Sequence, residues 1–244
     1  VIFDLTNSTA LKTQRGFPGW VPDLKKFHEI ISPVMLSIGG KWKKFLGDAY
    51  LYFFSDDNCQ AHIDITHAKP NDILEASIKI MNEYWNFYKV YQERERGCDK
   101  QKDFREITCA IDYGNEIIDW GKQIDDGGPF DPIGTPVDRC FRISGIAGPG
   151  QLLVSRQFHA MLSFEKQSNF ERIHIQKGSL KGFDTEDTIY YLKPTEEIID
   201  YILSEKTVQL VEESKPMEVK AKLKLLHNCR KEKHPEKYTG GSHE

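Results

Sequence analysis

Two aspartates, Asp4 and Asp48, stand where strand-like residues give way to turn-like ones. Val1-Ile2-Phe3 is a short β-branched and aromatic run that reads as a strand, and Asp4 follows it ahead of Leu5-Thr6-Asn7-Ser8-Thr9, a polar stretch suited to capping a helix. Asp48 belongs to a Gly47-Asp48 step between two strand-like runs, residues 41–46 and 49–54, which predicts a hairpin with Asp48 at its tip. Each carboxylate is expected to leave its ladder and point outward, so the two converge if their strands are neighbours. Two hard carboxylates with few other protein ligands suit Mg²⁺ or Mn²⁺, which keep waters and bind substrate phosphates. A pair of such ions, about 3.5–4 Å apart, can activate a hydroxyl and stabilise a leaving oxygen in an in-line displacement. Taken singly, either aspartate is equally a turn residue or a helix cap.

The elements that must hold this pair alternate along the chain. Gly16, Pro18 and Pro22 interrupt the first helical stretch, and a helix restarts after Pro22 with Leu24, Phe27, Ile30 and Ile31 at helical spacing. Asp72 caps a helix over 73–90, and the charged segment 93–105 reads as solvated linker. A strand over 107–113 precedes a long Asp, Gly and Pro-rich loop, 119–134, of the kind that carries function. Helices over 137–146 and 156–162 and strands over 151–154, 172–175 and 188–192 complete the series. Strands alternating with helices predict an α+β or α/β sandwich. After Pro194 the composition shifts. Residues 1–193 are therefore expected to form one domain, and 194–244 a helical and charged extension whose Lys-rich end, from Lys215, is solvated and flexible.

Composition narrows the function classes. Of 244 residues 39% are hydrophobic, with 14 Phe, 10 Tyr and 4 Trp, enough for one substantial core. A net charge of −4 gives no reason to expect a stable nucleic-acid partner or a membrane surface, and no apolar run approaches a bilayer span. Five scattered cysteines lack zinc-ligand spacing, which fits free thiols in a reducing cytoplasm. No signal peptide is visible, and Val1 reads as mid-strand, which leaves open whether upstream residues, with a targeting segment or a sensor domain, precede it. Phosphate-cradling, zinc-protease and nucleophile-elbow motifs are lacking from the sequence.

The ordered motifs resemble the catalytic domain of class III adenylate and guanylate cyclases. Ile2-Phe3-Asp4-Leu5 through Thr9 resembles the family's F-x-D-I-x-x-x-T strand, and Lys44 to Tyr50 its K-x-x-G-D hairpin. Ala110 to Gly114 loosely follows its G-x-H-x-G strand, and Asp131 to Arg142 its D-x-x-G-x-x-V-N-x-A-x-R segment. Pro149-Gly150-Gln151-Leu152-Leu153-Val154-Ser155 and Leu180-Lys181-Gly182 complete the order. The resemblance spans about four-fifths of the chain and implies a ferredoxin-like, palm-type α/β sandwich of the α+β class. It further implies a homodimer with active sites at the interface. One chain supplies Asp4 and Asp48 as ligands of two divalent cations. The other supplies Arg142, for charge on the α-phosphate of a nucleoside triphosphate, and residue 138. Lys181 would meet the terminal phosphates. Two departures stand out: Asp138 replaces the family's ribose-orienting Asn, and Asp112 replaces its His.

Base choice stays open. Lys44 and Asp131 stand at the family's base-reading positions and form the adenylate-type pair, although a cytosine amine also satisfies Asp131. A stand-alone cyclase domain also resembles the pyrimidine cyclases of bacterial antiphage defence, which make cyclic CMP or cyclic UMP for a downstream effector. The bulky Trp42, Phe45 and Tyr50 could shrink a purine pocket, or could simply be core. The alternative from another class is a catalytically silent nucleotide-binding or dimerisation module that keeps the palm fold, and Asp138 is its best support.

Overall fold

The computed structural model describes residues 1–6, 8–54, 68–95, 107–120, 131–148, 150–178 and 187–192. Lys181, the cysteines at 59, 98 and 229, and the extension from 194 lie outside the described residues.

Strand β1 (Ile2–Leu5) leads directly into helix α1 (Ser8–Ser37), and the hairpin β2 (Lys41–Phe45) and β3 (Ala49–Phe53) follows. Next come α2 (Pro70–Glu95), β4 (Ile107–Ile111), the short strands β5 (Ile118–Asp119) and β6 (Pro132–Ile133), and α3 (Thr135–Ile146). The order closes with β7 (Leu152–Ser155), α4 (Arg156–Ala160), α5 (Phe164–Gln167), β8 (Phe170–Ile175) and β9 (Asp187–Leu192). Seven strands form one sheet in the order β2-β3-β1-β4-β7-β9-β8. Among the described residues only β4 and β7 pair in parallel, and α3 lies in the crossover that such a pair requires.

Period-2 alternation sorts the side chains between two layers. Phe3, Leu5, Tyr50, Tyr52, Cys109 and Ile111 face α1 and α2, where Trp20, Phe27, Ile31, Met35, Leu74 and Ile80 meet them. Ile2, Ala49, Leu51, Ala110 and Leu153 pack on the opposite side with Cys140, Ile143 and Ile146 of α3. Each large apolar side chain so buried contributes about 1.5–3 kcal/mol. The sheet is therefore fixed from both faces, and the β1–β3 edge of its centre is a rigid place from which to present polar groups.

Several boundaries differ from the sequence reading. Helix α1 does not wait for Pro22: it breaks at Gly16 (φ 68°, ψ 168°) and resumes at once. Pro18 then falls in a first turn, where its missing N–H removes no bond. Asp72 lies inside the first turn of α2 rather than capping it, and α2 runs on to Glu95 through the start of the expected linker. Segment 119–134 is anchored at both ends by the β5–β6 pair, Ile118 against Ile133. Residues 121–130 between them lie outside the described residues. Among the described residues no helix is long and apolar enough to cross a membrane.

Candidate active site

Asp4 lies within β1 and not beyond its end, with its Cα in register with Ala49 on β3 and Thr108 on β4. Asp48 occupies the tip of the β2–β3 hairpin as expected. Gly47 supplies φ 88° at the first turn position, a value that glycine takes without a Cβ penalty. The Asp48 carbonyl accepts a hydrogen bond from Leu5 N at 3.0 Å, which locks the tip beside the end of β1. Neighbouring strands thus bring the two carboxylates together, and the extended position of Asp4 comes from ladder pairing.

The electrostatics of the pair record the crowding. The Asp4 carboxyl is raised to about 6, first by burial and then by the Asp48 charge, while the Leu5 N–H and Lys12 pull it back. Asp48 Oδ2 accepts from Ser8 Oγ at the start of α1 and from Lys12 Nζ at 3.3 Å. Thr108, in register beside Asp4, is buried, and its Oγ1 has no hydrogen-bond partner. Two carboxylates in mutual repulsion, next to a buried hydroxyl without a partner, form a donor set suited to a divalent cation. The described residues hold no group of three or more His, Cys, Asp or Glu for a metal, so other ligands would be waters and phosphate oxygens.

Folding stability should carry the signature of Asp4. Its folded pKa exceeds the unperturbed 3.8, so this group's stabilising contribution is full below that value and lost as pH rises through about 6. Without divalent cations, the wild type should therefore lose about 2–3 kcal/mol relative to Asp4→Asn between pH 4 and 7. Urea titrations of both proteins across that range measure the difference, and parallel curves would contradict it.

The base-reading candidates also meet. Lys44 Nζ lies 3.7 Å from Asp131 Oδ1, both side chains exposed, so β2 and the residue before β6 face one another. Trp120 N donates to the Asp131 carbonyl at 2.9 Å and holds that residue in place. Of the bulky residues near the hairpin, Tyr50 packs against the rings of Phe27, His28 and Phe45, which makes it core. Phe45 is partly exposed on the same hairpin.

Helix α3 carries Asp138 and Arg142 four residues apart on its exposed face, while Arg139, Cys140 and Ile143 are buried. Among the described residues, no hydrogen bond or ion pair joins Asp138 or Arg142 to Asp4 or Asp48 within the chain. Gly134 sets the entry of this helix with φ 142°, and a Cβ there would stand 1.9 Å from the Glu116 carbonyl oxygen. Gly134→Ala should accordingly cost at least about 2 kcal/mol, read as a fall in the urea midpoint.

Asp112 at the end of β4 is held by Arg139 of α3. Arg139 Nε donates to its Oδ2 at 2.6 Å and Nη2 to Oδ1 at 2.9 Å, with both groups nearly buried. Burial pushes the Asp112 carboxyl up, while Arg139 and the Ser155 hydroxyl pull it down. Ser155 Oγ also accepts from Phe158 N at 3.1 Å as the cap of α4. Neither Arg139 nor Lys12 stood out in the sequence, because neither belongs to a spacing that signals chemistry.

No protein-family model matches the sequence, and a comparison with curated proteins gives no match. Solved structures do match. The adenylyl cyclase CyaB from P. aeruginosa aligns with a TM-score of 0.59 at 20% identity, over 80% of this chain and 92% of that one. An adenylate cyclase from Trypanosoma brucei gives 0.53 at 17%, over 78% and 85%. The guanylate cyclase domain of RhGC from Catenaria anguillulae, solved in complex with GTP, gives 0.53 at 14%, over 79% and 93%. The seven-stranded sheet with its helices thus has the palm-type α+β fold of class III nucleotide cyclase catalytic domains.

Proposed function

We propose that this chain is a nucleotide cyclase, converting a nucleoside triphosphate to its 3′,5′-cyclic monophosphate and pyrophosphate. The observation that carries the proposal is the meeting of Asp4 and Asp48 on a cyclase fold, close enough for Asp48 to raise the Asp4 carboxyl. The reaction is in-line: the substrate's 3′-oxygen bonds to its own α-phosphorus, the 3′-hydroxyl proton passes to solvent, and the bond to the β-phosphate oxygen breaks. Bound Mg²⁺ or Mn²⁺ ions would supply charge neutralisation and Lewis acidity at those oxygens. Asp4 and Asp48 are the residues that would hold them. Arg142 offers a planar donor fork to charge building on the α-phosphate. By the family resemblance, Asp138 would meet the ribose as an acceptor, and Lys181, outside the described residues, would meet the terminal phosphates.

Exposure of Asp138 and Arg142 on α3, without a bond to the aspartates, supports a site shared by two copies of the chain. Facing Lys44 and Asp131 support a base that offers both a ring nitrogen and an exocyclic amine, as adenine does. Tyr50 in the core weakens the case for a narrowed pyrimidine pocket, although cytosine also carries an amine. The silent nucleotide-binding module keeps Asp138 as its best support and gains the Lys12 contact, which already occupies Asp48.

Mixing two variants tests the proposal. Asp48→Ala and Arg142→Ala should each be nearly inactive alone. Mixed and allowed to exchange subunits, half of the dimers become hybrids with one intact site, restoring about a quarter of wild-type cyclic product. Recovery at background level would contradict a site shared between chains.

A further inference from the structure

Lys12 belongs to none of the quoted motifs, yet it touches the candidate metal site. It lies in the early part of α1, and Nζ donates to Asp48 Oδ2 at 3.3 Å beside the Ser8 hydroxyl. The same ammonium stands 5.2 Å from the centroid of the Trp20 ring, a buried side chain on the far side of the Gly16 break. A carboxylate and an aromatic face are both favourable stations for a cation, and a lysine stem is long enough to shift between them. Asp48 Oδ2 cannot face a divalent ion while both donors hold it, and a fixed positive charge beside that ion repels it.

We propose that Lys12 is the resident cation of this site. It neutralises Asp48 while metal is absent and yields Oδ2 when a divalent ion arrives, moving toward Trp20. It thereby sets the metal concentration at which the site fills. The inference rests on Asp4 and Asp48 being metal ligands. The opposite role, a clamp that merely orients Asp48, makes the opposite prediction, because its loss would loosen a ligand and weaken metal binding.

Calorimetric titration of Mn²⁺ into the protein without nucleotide separates the two. Lys12→Met and Lys12→Gln should bind Mn²⁺ about tenfold tighter than the wild type, and Lys12→Arg should stay near it. Unchanged or weaker binding in both neutral variants, with thermal melts showing them folded, would overturn the inference and leave the metal reading intact. Asp48→Asn should abolish the same titration. Equal binding by Asp48→Asn and wild type, or none by the wild type, would remove the metal reading and this inference with it.

Discussion

Asp48→Ala should reduce cyclic-nucleotide formation about a thousandfold while leaving the protein folded. Removing one group that stabilises developing charge in a preorganised site costs about 10²–10³ in rate. Here the same carboxylate is also one of only two acidic candidates for holding cations, which places the loss at the upper end. The fold should not suffer, because Asp48 works against Asp4: its charge helps to raise the Asp4 carboxyl to about 6. Truncating it relieves that repulsion, and the Leu5 N–H bond to the residue 48 carbonyl is a backbone contact that alanine keeps. Initial rates with Mn²⁺, set beside thermal melts without it, should show activity lost and stability held or raised. A folded variant with an unchanged rate would remove Asp48 from the chemistry.

The largest stability effect should come from a residue with no proposed contact to substrate. Asp112→Ala strands the Arg139 guanidinium at the end of β4, where, among the described residues, the Tyr113 carbonyl, 3.2 Å from Nη2, is its one remaining partner. Removing one member of a buried pair costs about 3–5 kcal/mol, since the other charge stays desolvated. Against a total of about 5–15 kcal/mol for a typical domain, that is a large share. The pair ties the end of β4 to α3, so the damage should extend to the helix bearing Asp138 and Arg142. Urea denaturation should show the loss, and the double variant Asp112→Leu with Arg139→Met should recover much of it, because a well-packed apolar pair removes both charges together. A single variant as stable as the wild type would contradict the structural role of Asp112.

Much of this arrangement was legible in the sequence, for a physical reason. Alternation in Ile2-Phe3 and Ala49 to Phe53, the Gly47-Asp48 turn and the apolar face of α3 are local patterns, and local patterns survive folding. They fixed the hairpin and the α+β class. What escaped were partnerships made by the fold alone. The sequence placed Asp4 at a strand end, free of the ladder, whereas ladder pairing with Thr108 and Ala49 draws it into the sheet and half buries it. Asp112 looked like a substitution near the site, and only the packing of α3 on β4 revealed Arg139 as its partner. Lys12 was invisible because a single lysine on a helix carries no signal until the hairpin tip is set against it. The prolines at 18 and 22 do not delay the helix, since one left-handed glycine, Gly16, makes the break and the helix resumes immediately.

The most direct test is mass-spectrometric identification of products after incubating the wild type with ATP, GTP, CTP and UTP separately in the presence of Mn²⁺. At least one triphosphate should yield its 3′,5′-cyclic monophosphate and an equimolar amount of pyrophosphate, with ATP the first choice from the Lys44 and Asp131 pair. No cyclic product from any of the four, or release of orthophosphate in its place, would contradict the assignment of this chain as a nucleotide cyclase.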